Sequence, residues 1–208
     1  MIPKERAMER CIRKIAILVL LISLTACFSP FTPIDQDFRP KGKTLAVVAA
    51  LDSDENIAVA AAMTESLRKN SRYQVMPQRQ VAQTLGYPIR IQGPFKSAYF
   101  EIETDYKKTD VKRIRSIQQK LGVDYVYAIW TPSSTVYNEK IHSLHAVGQM
   151  FEGPGAKEVG NGRFDITAGH TDCCLVPAPG DKDKENAIKD TAEYVSKHIA
   201  EKTGMQKR

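Results

Sequence analysis

Thr44-Leu45-Ala46-Val47-Val48-Ala49-Ala50-Leu51 is a near-continuous apolar run of strand length, and the fold class follows from how it is read. A strand that is apolar on both sides must be covered on both, which is typical of strands inside α/β sheets rather than of half-exposed antiparallel ones. The residues downstream agree. Asp52 and Ser53 are N-cap candidates, Glu55 lies three residues after Asp52, and Ile57, Ala60, Ala61, Thr64 and Leu67 recur at helical spacing as far as Asn70. The small residues in that stripe let a helix lie close on a sheet. Tyr73 to Met76 reads as a second short strand ended by Pro77, and Val81, Ala82 and Leu85 predict a short helix stopped at Gly86. The domain therefore opens as a β-α-β unit.

Pro88 to Tyr106 is less regular and reads as an insertion. Within it Ala98, Phe100, Ile102 and Thr104 alternate with Tyr99, Glu101 and Glu103, the pattern of a half-exposed strand, and Gly93-Pro94 would turn a hairpin. Asp110 then caps a helix with Val111, Ile114, Ile117 and Leu121 on one face, and Gly122 ends it before the strand Asp124 to Thr131. On that strand Tyr125, Tyr127 and Ile129 face one way and Val126, Ala128 and Trp130 the other, so both sets are expected in a core. Lys140 to Phe151 and Lys157 to Ile166 flank Glu152-Gly153-Pro154-Gly155 as an antiparallel hairpin. An irregular loop, Thr167 to Lys184, leads to a last helix with Ile188, Ala192, Val195 and Ile199, ending at Gly204. The expectation is one α/β domain over residues 44–204 with a mixed sheet, β-α-β-α-β followed by an antiparallel hairpin and a C-terminal helix, and a tail at 205–208.

Upstream, Arg13 and Lys14 precede the apolar run Ile15 to Ala26, which closes on Leu24-Thr25-Ala26-Cys27. A positive region, an apolar core and small residues before a cysteine make a secretory signal ending in a lipobox, so residues 1–26 read as a signal peptide, whether translation starts at Met1 or Met8. Small side chains at Thr25 and Ala26 let an extended backbone enter a peptidase site, and the Cys27 thiol is the nucleophile that takes a diacylglyceryl group. The twelve residues from Ile15 to Ala26 rise roughly 18 Å in a helix, against a hydrocarbon core about 30 Å thick, so they are too short to span it. The motif resembles the bacterial lipoprotein signal, and the resemblance implies cleavage before Cys27, lipid and palmitate on it, and contact with a membrane through that lipid. Phe28 stands where enteric relatives that stay at the inner membrane carry aspartate, which implies the outer membrane, with the domain in the periplasm. Residues 27–43, holding Pro30, Pro33 and Pro40 and few aliphatics, read as the lipidated cysteine and a flexible tether that, stretched, reaches roughly 50 Å.

Charge and cysteine usage narrow the function classes. The formal charge is +6, and the leader supplies +3 of it, with five basic residues against Glu5 and Glu9. The mature chain is near +3, and Lys107, Lys108, Lys112, Arg113, Arg115 and Lys120 read as a solvated helix face, with contact to anionic lipid or glycan as the lesser alternative; no nucleic-acid partner is expected. Cys11 leaves with the leader and Cys27 carries lipid, so Cys173 and Cys174 alone reach the domain as thiols. Neighbouring Cα atoms stand about 3.8 Å apart, below the disulfide window of about 4.4–6.8 Å, so a bond between the two would be strained. A pair packed against the last helix and a bridge to a second chain both remain open.

His170, Asp172, Cys173 and Cys174 are metal-ligand types in one loop, and they define the alternative of a metal-dependent hydrolase using residues 170–174. Their spacing matches no paired zinc-ligand pattern. His142 and His145, three apart in a strand, point to opposite faces. No phosphate-binding glycine motif follows the first strand, where Asp52-Ser53-Asp54-Glu55 would repel a phosphate. Gly153-Pro154-Gly155 and Gly160-Asn161-Gly162 are assigned to turn or bulge chemistry, and no serine sits in a nucleophile elbow. No catalytic, metal or cofactor residue is expected, and the site residue is Cys27.

The strand Leu45 to Leu51, the helix Ile57 to Leu67, Arg72-Tyr73-Gln74-Val75-Met76, and Leu121-Gly122-Val123-Asp124-Tyr125-Val126 before a hairpin and a closing helix resemble a group of envelope domains. That group holds the curli secretion-channel lipoprotein, the lipoprotein activator of penicillin-binding proteins and the N-terminal domain of the Tol β-propeller protein. The resemblance implies a fold and an envelope setting and carries no catalytic residue. A pore is not expected, because only residues 89–104 offer a poor membrane-crossing strand pair. The expected function is a lipid-anchored, non-enzymatic envelope protein that binds an envelope protein or itself, with a self-assembling or secretion-associated subunit as the alternative.

Overall fold

The apolar run from Thr44 becomes an interior strand, one in from the edge, of a six-stranded sheet in the computed structural model, which describes residues 29–94, 108–137, 140–167 and 184–207. Its strands are β1 (Thr32–Pro33), β2 (Thr44–Ala49), β3 (Gln74–Val75), β4 (Tyr125–Tyr137), β5 (Lys140–Glu152) and β6 (Lys157–Thr167), in the order β1-β6-β5-β4-β2-β3. Helices α1 (Asp54–Asn70), α2 (Gln78–Leu85), α3 (Val111–Leu121) and α4 (Lys184–Lys202) flank it. β2 runs parallel to β3 and β4, and the remaining pairs are antiparallel, so the fold is α/β with one open mixed sheet.

The double-sided burial of β2 is complete, since Leu45 through Ala49 are all solvent-free. Leu45, Val47 and Ala49 join Tyr125, Tyr127 and Ile129 in a core under α1 and α4, while Ala46 and Val48 join Val126, Ala128 and Trp130 in a second core under α2 and α3. Local chemistry sets the helix ends. The Ser53 hydroxyl accepts from Asn56 N–H at 3.2 Å and is the cap of α1, whereas Asp52 receives Arg90 at 2.9 Å. Asp110 accepts from Arg113 N–H at 3.0 Å and starts α3. Buried Asn56 then ties α1 to β4: its amide donates to Ile129 O at 3.0 Å, and its oxygen accepts from Thr131 N–H at 2.6 Å and from the Thr131 hydroxyl at 3.0 Å.

Three expectations are corrected. Residues 29–43 are no free tether. Phe31 is solvent-free, Phe38 is buried, and β1 pairs with the edge of β6, because two aromatic rings in a short segment gain more from the core than an extended chain gains from water. The segment set apart as a tail at 205–208 joins the domain: Met205 is buried, Met205 O accepts from Arg72 N–H, and Gln206 bridges to Ser71. Finally, β4 continues past Thr131 to Tyr137 and pairs with β5 as far as Tyr137↔Lys140, so β4, β5 and β6 form a meander longer than the parallel part. Pro132-Ser133-Ser134-Thr135 carries no apolar alternation, and its register breaks between Trp130 and Ser133 and between Thr135 and Val136. The signal segment 1–26, Cys27, the strand expected at Ala98 to Thr104 and the loop with His170 to Cys174 lie outside the described residues.

Candidate functional site

The segment that would carry the anchor is seated on the sheet by clearance built into β5 and β6. A Cβ on Gly162 would overlap the Pro30 carbonyl, and one on Gly160 would overlap the Phe31 ring. Gly148, paired with Gly162 across the strands, clears space in the same way for the Tyr127 hydroxyl. Glycine inside a strand serves here as room for close backbone approach, in addition to the bulge expected at Gly160-Asn161-Gly162, where the register shifts at Val159 beside Gly160. Into this floor Phe31 packs at 6.5 Å from the Tyr127 ring, tilted by 53°.

Backbone and polar contacts hold the segment along its length. Ser29 O accepts from Arg163 N–H at 3.4 Å, Thr32 lies opposite Asn161 and Pro33 opposite Gly160, and Ile34 N–H donates to Val159 O at 3.0 Å. The Ser29 hydroxyl donates to Phe31 O at 2.8 Å and stands 2.9 Å from His198 Nε2 on α4. Tyr194 stacks on the His198 ring at 6.3 Å. Partial burial, with Lys202 nearby, pushes the His198 pKa below the usual imidazole value, so the neutral ring is favoured.

Further along, Phe38 meets Tyr125 edge-on at 6.3 Å. The Tyr125 hydroxyl accepts from Lys41 N–H at 2.9 Å and Gly42 N–H at 3.3 Å and donates to Glu152 at 2.8 Å; burial and the Glu152 carboxylate push its pKa up to about 12. Asp124 Oδ2 accepts from Lys43 N–H, Thr44 N–H and the Thr44 hydroxyl at 2.7–2.9 Å, and Asp124 N–H returns a bond to that hydroxyl at 2.8 Å. These bonds to Thr44, backbone first, hold the Asp124 carboxyl below its ordinary range. The strand-entry aspartate of Leu121-Gly122-Val123-Asp124 is therefore the clasp that closes the N-terminal segment onto the start of β4.

Chemistry elsewhere is sparse. Among the described residues no group of three or more His, Cys, Asp or Glu could hold a metal, and no helix is long and apolar enough to cross a membrane. His142 and His145 both lie on β5, with His142 as the extra residue at the bulge opposite Thr135 and Val136. Tyr125, Tyr127 and Trp130 are core side chains, as the alternation predicts. At the far edge of the sheet a shallow open depression beside β3 is lined by Arg68, Tyr73, Met76, Pro77 and Gln80 among others, with no carboxylate, histidine or cysteine.

The site is thus the seat of an N-terminal segment on an open α/β sheet. No protein-family model matches the chain, and no curated protein matches it. Among solved structures it is similar to a single-substitution variant of the PelC dodecamer from Paraburkholderia phytofirmans, at TM-score 0.48 and 7% identity, covering 82% of this chain and 98% of that one. A second PelC dodecamer from the same organism gives 0.46 and 8% over 82% and 94%. The lipoprotein GNA1162 from Neisseria meningitidis gives 0.40 and 20% over 64% and 86%.

Proposed function

We propose that this chain is a lipid-anchored accessory protein of the bacterial cell envelope, carried on Cys27 and acting by binding an envelope protein or itself, without catalysis. The observation that carries the reading is Leu24-Thr25-Ala26-Cys27 behind Arg13-Lys14 and an apolar run too short to span a bilayer. Phe28 in place of aspartate favours the outer membrane, with the domain in the periplasm. The ordered seat beginning at Ser29, two residues after the acceptor cysteine, supports the reading because it gives the domain a defined relation to its anchor.

Palmitate labelling and membrane fractionation of the wild type and Cys27→Ala test it. Label and outer-membrane recovery in the wild type, both lost in Cys27→Ala, are expected. Equal labelling of the two would overturn the anchor, and wild-type recovery with the inner membrane would overturn the placement.

A further inference from the structure

The seat removes nearly all the slack between anchor and domain. Only Phe28 separates Cys27 from Ser29, so the two Cα atoms can stand at most about 7 Å apart, whereas a free tether to residue 43 would reach roughly 50 Å. A domain held this closely must rest on the membrane with whichever surface surrounds Ser29, and that surface is the β1 edge of the sheet.

A separate observation marks the same edge. Among the described residues the exposed large apolar side chains are Ile34, 59% exposed, and Val111, 38% exposed. Ile34 directly follows β1 and is fixed by its bond to Val159 O, so an exposed apolar side chain stands on the same sheet edge as Ser29, four residues along β6 from Arg163. Val111 begins α3, on the other side of the sheet and away from the anchor.

We infer that the β1 edge lies on the phospholipid bilayer, with Ile34 seated at the boundary between headgroups and acyl chains. This deepens the reading of Cys27 as the lipidated residue and rests on it. The exposed carboxylates of Asp35 and Asp37, the latter's N–H bonded to Asp35 at 3.0 Å, limit the contact to shallow insertion.

The experiment uses the mature acylated protein in phosphatidylcholine vesicles whose acyl chains are brominated near the headgroup, with tryptophan emission as the readout. Trp130 is solvent-free in the core and gives the same background in every variant. Ile34→Trp should add emission that brominated lipid quenches, and Val111→Trp should add emission that it does not. A glycine-serine insertion of about ten residues after Phe28 should keep flotation with vesicles and lose the quenching at position 34. Equal quenching at 34 and 111, or none at 34, in protein that still floats would overturn the orientation alone. Failure of the wild type to float, with no lipid on Cys27, would overturn the anchor as well.

Discussion

Gly162→Ala tests the seat with a single methyl group. Its Cβ would meet the backbone of Pro30 rather than a side chain able to swing aside, so the segment has to lift, at a cost of about 1–3 kcal/mol in urea unfolding. Gly155, whose Cβ would meet nothing within 4 Å, is the control, and Gly155→Ala should stay within about 0.5 kcal/mol. Asp124 gives a second test, through pH. Its carboxyl titrates below the unfolded value, so its contribution is complete above about pH 5 and is lost as pH falls through the depressed native value. The urea midpoint of the wild type should therefore drop between about pH 5 and 2 by more than that of Asp124→Asn. An identical pH profile for the two would mean the clasp contributes nothing through its charge. The sequence offered a signal for both positions: a glycine pair within a strand pattern implies close approach, and an aspartate at a strand entry implies a capped turn. What it could not supply was the partner, because Pro30 and Thr44 lie far from Gly162 and Asp124 along the chain.

Elements whose ends are fixed by local chemistry were legible. Ser53 and Asp110 cap their helices with bonds to residues three further on, and the two-sided apolar run of β2 dictates an interior place in the sheet, covered on both faces. β1 was not legible, since two residues carry no periodicity and Pro30, Pro33 and Pro40 look the same in a tether as along a sheet edge. Phe31 and Phe38 were the available clue, as two rings are costly to leave in water. Phe31→Ala should lower stability by about 3–5 kcal/mol and release amide protection at Arg163 and Ile34 before the rest of the sheet, read by hydrogen exchange. Simultaneous loss of protection across β2 would instead make the segment part of the global core. At the joint between α1 and β4, Asn56→Leu orphans Thr131 N–H, at a cost on the order of 1–3 kcal/mol, while Ile129 O keeps its bond from Ala50 N–H.

At the scale of the whole molecule, the strand order β1-β6-β5-β4-β2-β3 puts β1 and β3 at opposite edges, five strand spacings or about 24 Å apart. If β1 rests on lipid, the β3 edge is the one held out toward other proteins. That edge is short and ends at Pro77, so it is guarded against unselective strand pairing, yet Gln74 and Gln80 beside it present exposed side chains around the open depression. A photo-reactive residue placed in turn at Gln74, Gln80, Thr32 and Ile34 in living cells separates the two edges. Adducts of defined protein mass are expected from positions 74 and 80, and lipid adducts from 32 and 34. Adducts at 74 and 80 of twice the chain's own mass would identify a second copy as the partner, while protein adducts confined to 32 and 34 would reverse the orientation and place the binding surface beside the anchor.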